Sequence, residues 1–220
     1  VSHAMGLPTP RRPRADAARN HSRILRAATD LFAERGLEVT LDNVAEAAGV
    51  GVGTVYRHFS DKKRLVAEAF EQTVTAMAEA TESAFRDPDT WRGLTRLFEW
   101  YCEHMAANRG FGEVMLELPD AEQRFASVRE RIRPMVLGLI DKALAEGVLR
   151  PGVTATDLFA MVNMVESIAG FARPVNPDVW RRYMSIVLDG VRADPVPRTP
   201  LAAEPLTADE VARAKAALVG

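Results

Sequence analysis

Apolar residues recur along the chain at three- and four-residue steps, and no stretch alternates as a half-buried strand does. A first helix is expected over about Asp16–Arg35, with Ile24, Ala28, Leu31 and Phe32 on one face and Gly36 placed to close it. Two short helices follow, one over about Leu41–Ala48 behind Thr40 as N-cap and one over about Gly51–Phe59, separated by Gly49. Asp61 opens a long fourth helix carrying Leu65, Val66, Ala69, Phe70, Met77 and Phe85, which Asp87-Pro88 ends. Trp91, Leu94, Phe98, Tyr101 and Met105 mark the next helix, and Leu97, Trp100 and His104 widen its stripe, so it packs on several sides. Arg109–Leu118 reads as a short helix stopped by Pro119, and Ala121–Glu146 as a long one that Pro134 kinks. Thr156–Ala172 and Pro177–Val191 are the last long helices. Asp194–Leu206, with four prolines, reads as a linker, and Thr207 with Glu210 has the spacing of a capping box for a short terminal helix. The expected fold class is all-α.

The informative stretch is Thr40 to Phe59: two short helices about a glycine turn, the helix-turn-helix pattern. Val44 and Ala48 line one face of the first, Ala45 is small enough for a close crossing, and Gly49 takes the turn's backbone angles without a Cβ clash. Val50, Val55 and Phe59 pack the second helix back. In such a unit the second helix enters the major groove while groups around it hold phosphates. Thr54, Tyr56 and His58 have the reach for phosphate oxygens, Lys62 begins the next helix where an anion is favoured, and Arg57 suits bidentate guanine reading. With Thr40, Leu41, Val50, Gly51, Val52 and Gly53 they form the candidate DNA-binding set.

Charge distribution agrees with that reading where net charge does not. The chain of 220 residues has a net charge of −2, but residues 1–64 carry 11 Lys and Arg against 7 Asp and Glu, and the remainder 17 against 23. A basic head on an acidic body suits a DNA-binding unit joined to one with another task. One cysteine, Cys102, excludes an internal disulfide and a Cys-based zinc site, and Cys102, Glu103 and His104 point in different directions on a helix. No uncharged run exceeds ten residues, so no transmembrane helix is expected, nor is a signal peptide, and a cytoplasmic location is. Val1–Ala4 ahead of Met5 read as an appended segment. The chain divides into a disordered basic tail (1–15, with Arg11, Arg12 and Arg14), a helix-turn-helix domain (16–64), a helical body (65–192) and a Pro-rich linker with a terminal helix (193–220).

Ser22-Arg-Ile-Leu-Arg-Ala-Ala-Thr-Asp-Leu-Phe-Ala-Glu-Arg-Gly36, Val44-Ala45, Ala48-Gly49-Val50, Gly53-Thr54-Val55-Tyr56, His58-Phe59, Lys62 and Leu65 together resemble the TetR family of bacterial transcriptional regulators. The resemblance covers about residues 19–66 without a gap. It implies a homodimeric repressor whose first three helices bind a palindromic double-stranded DNA operator, with a divergent C-terminal domain that binds a small-molecule effector and dimerises through its last two long helices. Tyr56, His58, Thr54 and Lys62, and Thr40 or Leu41, match the family's DNA-contact positions. The chain departs from the pattern at Gly51-Val52, where a polar or basic pair is frequent, so specificity leans on Arg57, on contact from Val52 to a thymine methyl, and on DNA shape. The arginines of the tail add phosphate or minor-groove contacts, or only solubility.

The resemblance also places a ligand cavity in the middle of the chain, where Met77, Trp100, Tyr101, His104, Met105, Phe111, Met115, Phe125, Met161, Asn163 and Met164 are the candidate lining for an apolar or aromatic compound. The same residues serve equally as ordinary core. Leu158, Val162, Val165, Ile168 and Ala169 with Trp180, Met184, Val187, Leu188 and Val191 are the candidate dimer interface, or else intrachain packing. No cofactor or metal is expected. An all-α enzyme is disfavoured by the lack of a nucleophile elbow, phosphate loop, HExxH or paired carboxylates. A DNA-binding structural protein without a ligand response is the nearer alternative.

Overall fold

The protein is described here by a computed structural model, which covers residues 13–117, 122–194, 206–207, 209–210 and 213, with side chains over 16–113 and 127–194 in the two long stretches. The described elements are helical: α1 (Pro13–Arg35), a 3-10 turn (Gly36–Glu38), α2 (Leu41–Ala48), α3 (Val52–His58), α4 (Lys62–Ala69), α5 (Glu71–Arg86), α6 (Thr90–Ala107), α7 (Arg109–Glu117), α8 (Glu122–Ala145), α9 (Ala155–Ala172) and α10 (Trp180–Val191). None of the described helices is long and apolar enough to cross a membrane.

The first three helices close around a small core. Ile24, Ala28 and Phe32, four residues apart on α1, are fully buried with Val44 of α2, Val55 of α3, and Phe59. Thr40 caps α2 as expected: its hydroxyl oxygen accepts the Asn43 N–H at 3.2 Å, and Asn43 Oδ1 accepts the Thr40 N–H at 3.1 Å. Gly49, at φ +62, ends α2 in the left-handed conformation, with the Val50 N–H reaching back to Ala45 O at 3.0 Å. Arg23 Nη2 donates to Ala48 O at 2.6 Å, tying α1 to that turn.

Three boundaries differ from expectation. Helix α1 begins at Pro13, so Arg14 belongs to a helix rather than to an irregular tail; proline's fixed φ and missing N–H suit a first turn. Arg11 and Arg12 lie outside the described residues. The expected long fourth helix is two helices, α4 and α5, parted at Phe70 (φ −99, ψ 1). The buried Phe70 ring lies between Phe32 (6.0 Å between centroids) and Phe111 (5.9 Å), so it serves three helices at once while its N–H still reaches Val66 O. Helix α10 starts at Trp180, three residues after Pro177, because Asn176–Val179 form turns.

The body is built on the α5–α6 hairpin. A Cβ on Gly93 would come within 2.5 Å of Ala84 O, so glycine lets the two backbones approach closely there. Helix α8, with Pro134 inside it, packs its Gly138 against Phe85, which is otherwise exposed. Helices α9 and α10 pack on α6 and on each other, and a bridge between Leu149 and Arg192 fastens the connection that precedes α9. Thr154 and Asp157 form a second capping box at α9. The capping contacts between Thr207 and Glu210 are present, at 2.8 and 3.2 Å; the linker at 195–205 lies outside the described residues.

The body is keyed to the head through α7. A Cβ on Gly110 would sit 2.9 Å from Phe32 O, so α7 crosses α1 at close range. Phe111 inserts its fully buried ring against Phe70, and the Glu113 carboxylate accepts the Leu37 N–H in the turn after α1.

Candidate nucleic-acid interface and cavity

Helix α3 shows its inward face to the head and the rest to solvent. Val55 is fully buried, whereas Gly51, Val52, Gly53, Tyr56 and Arg57 are exposed, Tyr56 by 53%. Thr54 and His58 are half-buried. His58 lies beside His21 of α1 (5.6 Å between rings), which stacks on Phe59 and meets Glu68 Oε1 through Nε2 at 2.5 Å. A Cβ on Gly53 would meet nothing within 4 Å among the described residues, so packing against them does not require glycine there.

Two helix N-termini flank α3. At α2, Thr40 is exposed, and because its hydroxyl oxygen accepts the Asn43 N–H, its own proton points elsewhere. At α4, the Asp61 carboxylate accepts the Arg64 N–H at 2.9 Å, which together with the Ser60 hydroxyl holds its pKa below the usual range. Lys62, Lys63 and Arg64 start that helix. The structure thus gathers Thr40, Gly51, Val52, Gly53, Thr54, Tyr56, Arg57, His58 and Lys62 around one exposed helix. Two expected members fall away as side-chain contacts: Leu41 is buried because it is the first core position of α2, and Val50 packs against the head core. Lys62 is more constrained than its sequence position suggests, since its ammonium donates to the Leu37 carbonyl.

Between α5, α6, α8 and α9 lies a cavity of about 240 Å³. Met77, Tyr101 and Met105 line it as expected. The remaining wall is mostly aliphatic, including Val74, Leu94, Leu97, Ile132, Val136, Leu139, Ile140, Leu158 and Val162, with Phe98, Phe159 and Arg129. Sequence reasoning favoured aromatic and thioether groups and so missed these; a Leu in a cavity wall and a Leu in a core look alike in a sequence. Burial pushes the Tyr101 phenol up to about 12, against a smaller lowering from the neighbouring Thr81 side chain.

Several expected lining residues do other work. His104 stacks on Trp100 at 3.8 Å and donates from Nδ1 to the Trp100 carbonyl at 2.8 Å, so both turn to each other rather than to the cavity. Phe111 is fully buried against Phe70 and Trp100. Asn163 donates to Phe159 O at 2.7 Å. Met161 packs against the core and Met164 is exposed. The side chains of Met115 and Phe125 lie outside the described residues. Cys102 is buried, and burial pushes its thiol up to about 12, so it stays a neutral thiol.

The expected dimer interface is also corrected. Leu158, Val162, Val165, Ala169, Trp180, Met184, Leu188 and Val191 are buried inside the single chain, with Ile168 and Val187 half-buried beside them. The strongest apolar stripe of each helix is the one its own chain covers first. The outward faces carry Met164, Phe171, Tyr183 and Ile186 instead, with Val175 in the turn after α9; Phe171 is exposed by 83% and Val175 by 86%.

The family model for bacterial regulatory proteins of the TetR family matches residues 24–69, and that for the C-terminal domain of SbtR-like transcriptional regulators matches residues 87–193. The HTH-type transcriptional repressor KstR2 of Mycobacterium tuberculosis is 24% identical over 186 residues, 79% of this chain and 93% of that protein. The HTH-type transcriptional regulator YdeS of Bacillus subtilis is 29% identical over 148 residues, 63% of this chain and 71% of its own. Among solved structures, the TetR regulator SCO0520 of Streptomyces coelicolor superposes with a TM-score of 0.51 at 25% identity, over 79% of this chain and 98% of that one. The fatty acid degradation regulator FadR of Bacillus halodurans does so at 0.57 and 17% identity, over 86% and 100%.

Proposed function

As the chain belongs to the TetR family of bacterial regulatory proteins, and so to DNA-binding transcription regulators, we propose that it is a homodimeric repressor that leaves a palindromic operator when a small apolar molecule fills the cavity between α5, α6, α8 and α9. The observation that carries the DNA half of this reading is the outward face of α3, where Val52, Tyr56 and Arg57 stand exposed between the capped starts of α2 and α4. Arg57 reads a base edge, Val52 meets a thymine methyl, and Thr40, Thr54, Tyr56, His58 and Lys62 hold phosphates. Met164, Phe171, Val175, Tyr183 and Ile186 supply an apolar surface for a second copy, which sets the two α3 helices for half-sites about one helical turn apart. The names of the relatives fit this assignment: KstR2 is a repressor, and FadR a regulator of fatty acid degradation.

The route from cavity to DNA is short. Met105 lines the cavity and lies against Gly112 of α7; the next residue, Glu113, grips Leu37, whose carbonyl holds Lys62 at the DNA side. A ligand that shifts α6 against α7 changes the setting of the head, and DNA disfavours the ligand by the same coupling. Fluorescence anisotropy on the gene's own upstream DNA, against scrambled DNA at two salt concentrations, tests the reading. Tight binding to the native sequence alone is expected; equal, steeply salt-sensitive binding to both overturns sequence-specific control.

A further inference from the structure

We propose that the cavity takes an anionic amphiphile, a compound with one acidic head and an extended apolar body, and that Arg129 holds the head. This rests on the reading of the cavity as the effector site and names the chemistry of its ligand. Among the described lining residues only two side chains are strongly polar, Tyr101 and Arg129. The Thr81 hydroxyl beside Tyr101 donates its proton to the Met77 carbonyl at 2.8 Å, so that proton is already used within α5. Apart from the Tyr101 phenol, the described lining inward of Arg129 is apolar, so a charged head placed there would be stripped of water with little to replace it.

Arg129 answers for the other end. Arg129, Ile132, Val136 and Leu139 follow at three- and four-residue steps down one face of α8, and Arg129 is the exposed member of that row. An exposed residue that also lines the cavity stands at its mouth. No Asp or Glu is among the described lining residues, so among them Arg129 carries the only formal charge on the cavity wall. A guanidinium carries five N–H donors, enough to keep a partner in the protein and still fork a carboxylate. The volume, just under the ~300–1,000 Å³ usual for small-molecule sites, fits a single chain or a compact ring system rather than a large conjugate.

Calorimetric titration of the whole protein with decanoate, decanol and decyltrimethylammonium separates head from body, because the three share one chain. Decanoate is expected to bind at least about tenfold more tightly than the other two. That margin is expected to vanish in Arg129→Gln and to survive in part in Arg129→Lys, with thermal melting confirming that both variants fold. Equal affinities, a margin that survives Arg129→Gln, or no binding by any of the three overturns the proposal. Operator anisotropy is read in parallel: decanoate that binds through Arg129 yet leaves the DNA bound supports the ligand class and sinks the effector reading alone.

Discussion

Glu113 of α7 accepts a hydrogen bond from the backbone N–H of Leu37, so a residue of the body holds the turn that follows the first helix of the head. From the other side, Lys62 donates to the carbonyl of the same Leu37. One residue of the turn is thus held by the body through its N–H and by the start of α4 through its C=O. Gly36 makes room for this: at φ +68 it adopts the left-handed conformation, and a Cβ there would overlap the Glu113 carboxylate. Arg109 supports the carboxylate from one turn earlier on α7, donating from Nε at 2.8 Å.

Removing that carboxylate is expected to loosen the head without dismantling it. Glu113→Ala leaves a half-buried N–H without its acceptor, a loss of about 1–3 kcal/mol in denaturant unfolding. Operator affinity falls with it, because the carbonyl that positions Lys62 belongs to the freed turn. Glu113→Gln keeps an acceptor oxygen for Leu37 and stays close to the parent in both measurements. Unchanged stability and unchanged DNA binding in Glu113→Ala would remove α7 from the coupling route.

Gly53 tests how near α3 comes to DNA. Glycine inside a helix costs roughly 0.5–1 kcal/mol relative to alanine, and no contact among the described residues explains its presence at this exposed position. Gly53→Ala is therefore expected to raise stability by about that amount and to weaken operator binding about tenfold, since the methyl group meets the DNA. Binding as tight as the parent's would show that the backbone stands off from the groove.

The second copy is tested at Phe171. It is 83% exposed, so Phe171→Glu should leave the fold intact while placing a charge in the apolar surface it shares with Val175. Light scattering after size exclusion is expected to find a monomer, and the operator affinity to fall with the loss of the second head. A variant that remains dimeric places the interface elsewhere.

The head was legible in the sequence because its turns demand particular residues. Thr40 and Asp61 ahead of helical runs and Gly49 at a left-handed turn each leave a signature that few other conformations use. The body lacked such markers. Helix α9 is apolar on nearly every side, with Leu158 and Val162 inward and Met164 and Phe171 outward, so its pattern did not say which side its own chain would cover. The break at Phe70 was hidden for a related reason: the residue keeps helical spacing with Val66 and Val74, and its partners Phe32 and Phe111 lie far away in the sequence.

Asp87 gives the body a stability that depends on pH. It closes the α5–α6 hairpin by accepting from Arg92 at 3.0 and 2.5 Å and from the Asp89 N–H at 2.9 Å, with Arg96 nearby at 3.7 Å. The Arg92 hydrogen bonds, and after them the Asp89 N–H, hold its pKa at about 2. A carboxylate whose folded pKa lies below its unfolded one, about 3.9, stabilises the fold fully above the unfolded value and loses that contribution as pH falls through the folded one. Asp87→Asn is therefore expected to be less stable than the parent from pH 7 down to about 5. The gap between the two should then close from about pH 4 to 2, as the parent's own carboxylate takes up its proton. Urea unfolding of both proteins across that range measures the gap; one that is absent at pH 7, or undiminished at pH 2, would mean that the ionised pair with Arg92 does not hold the hairpin.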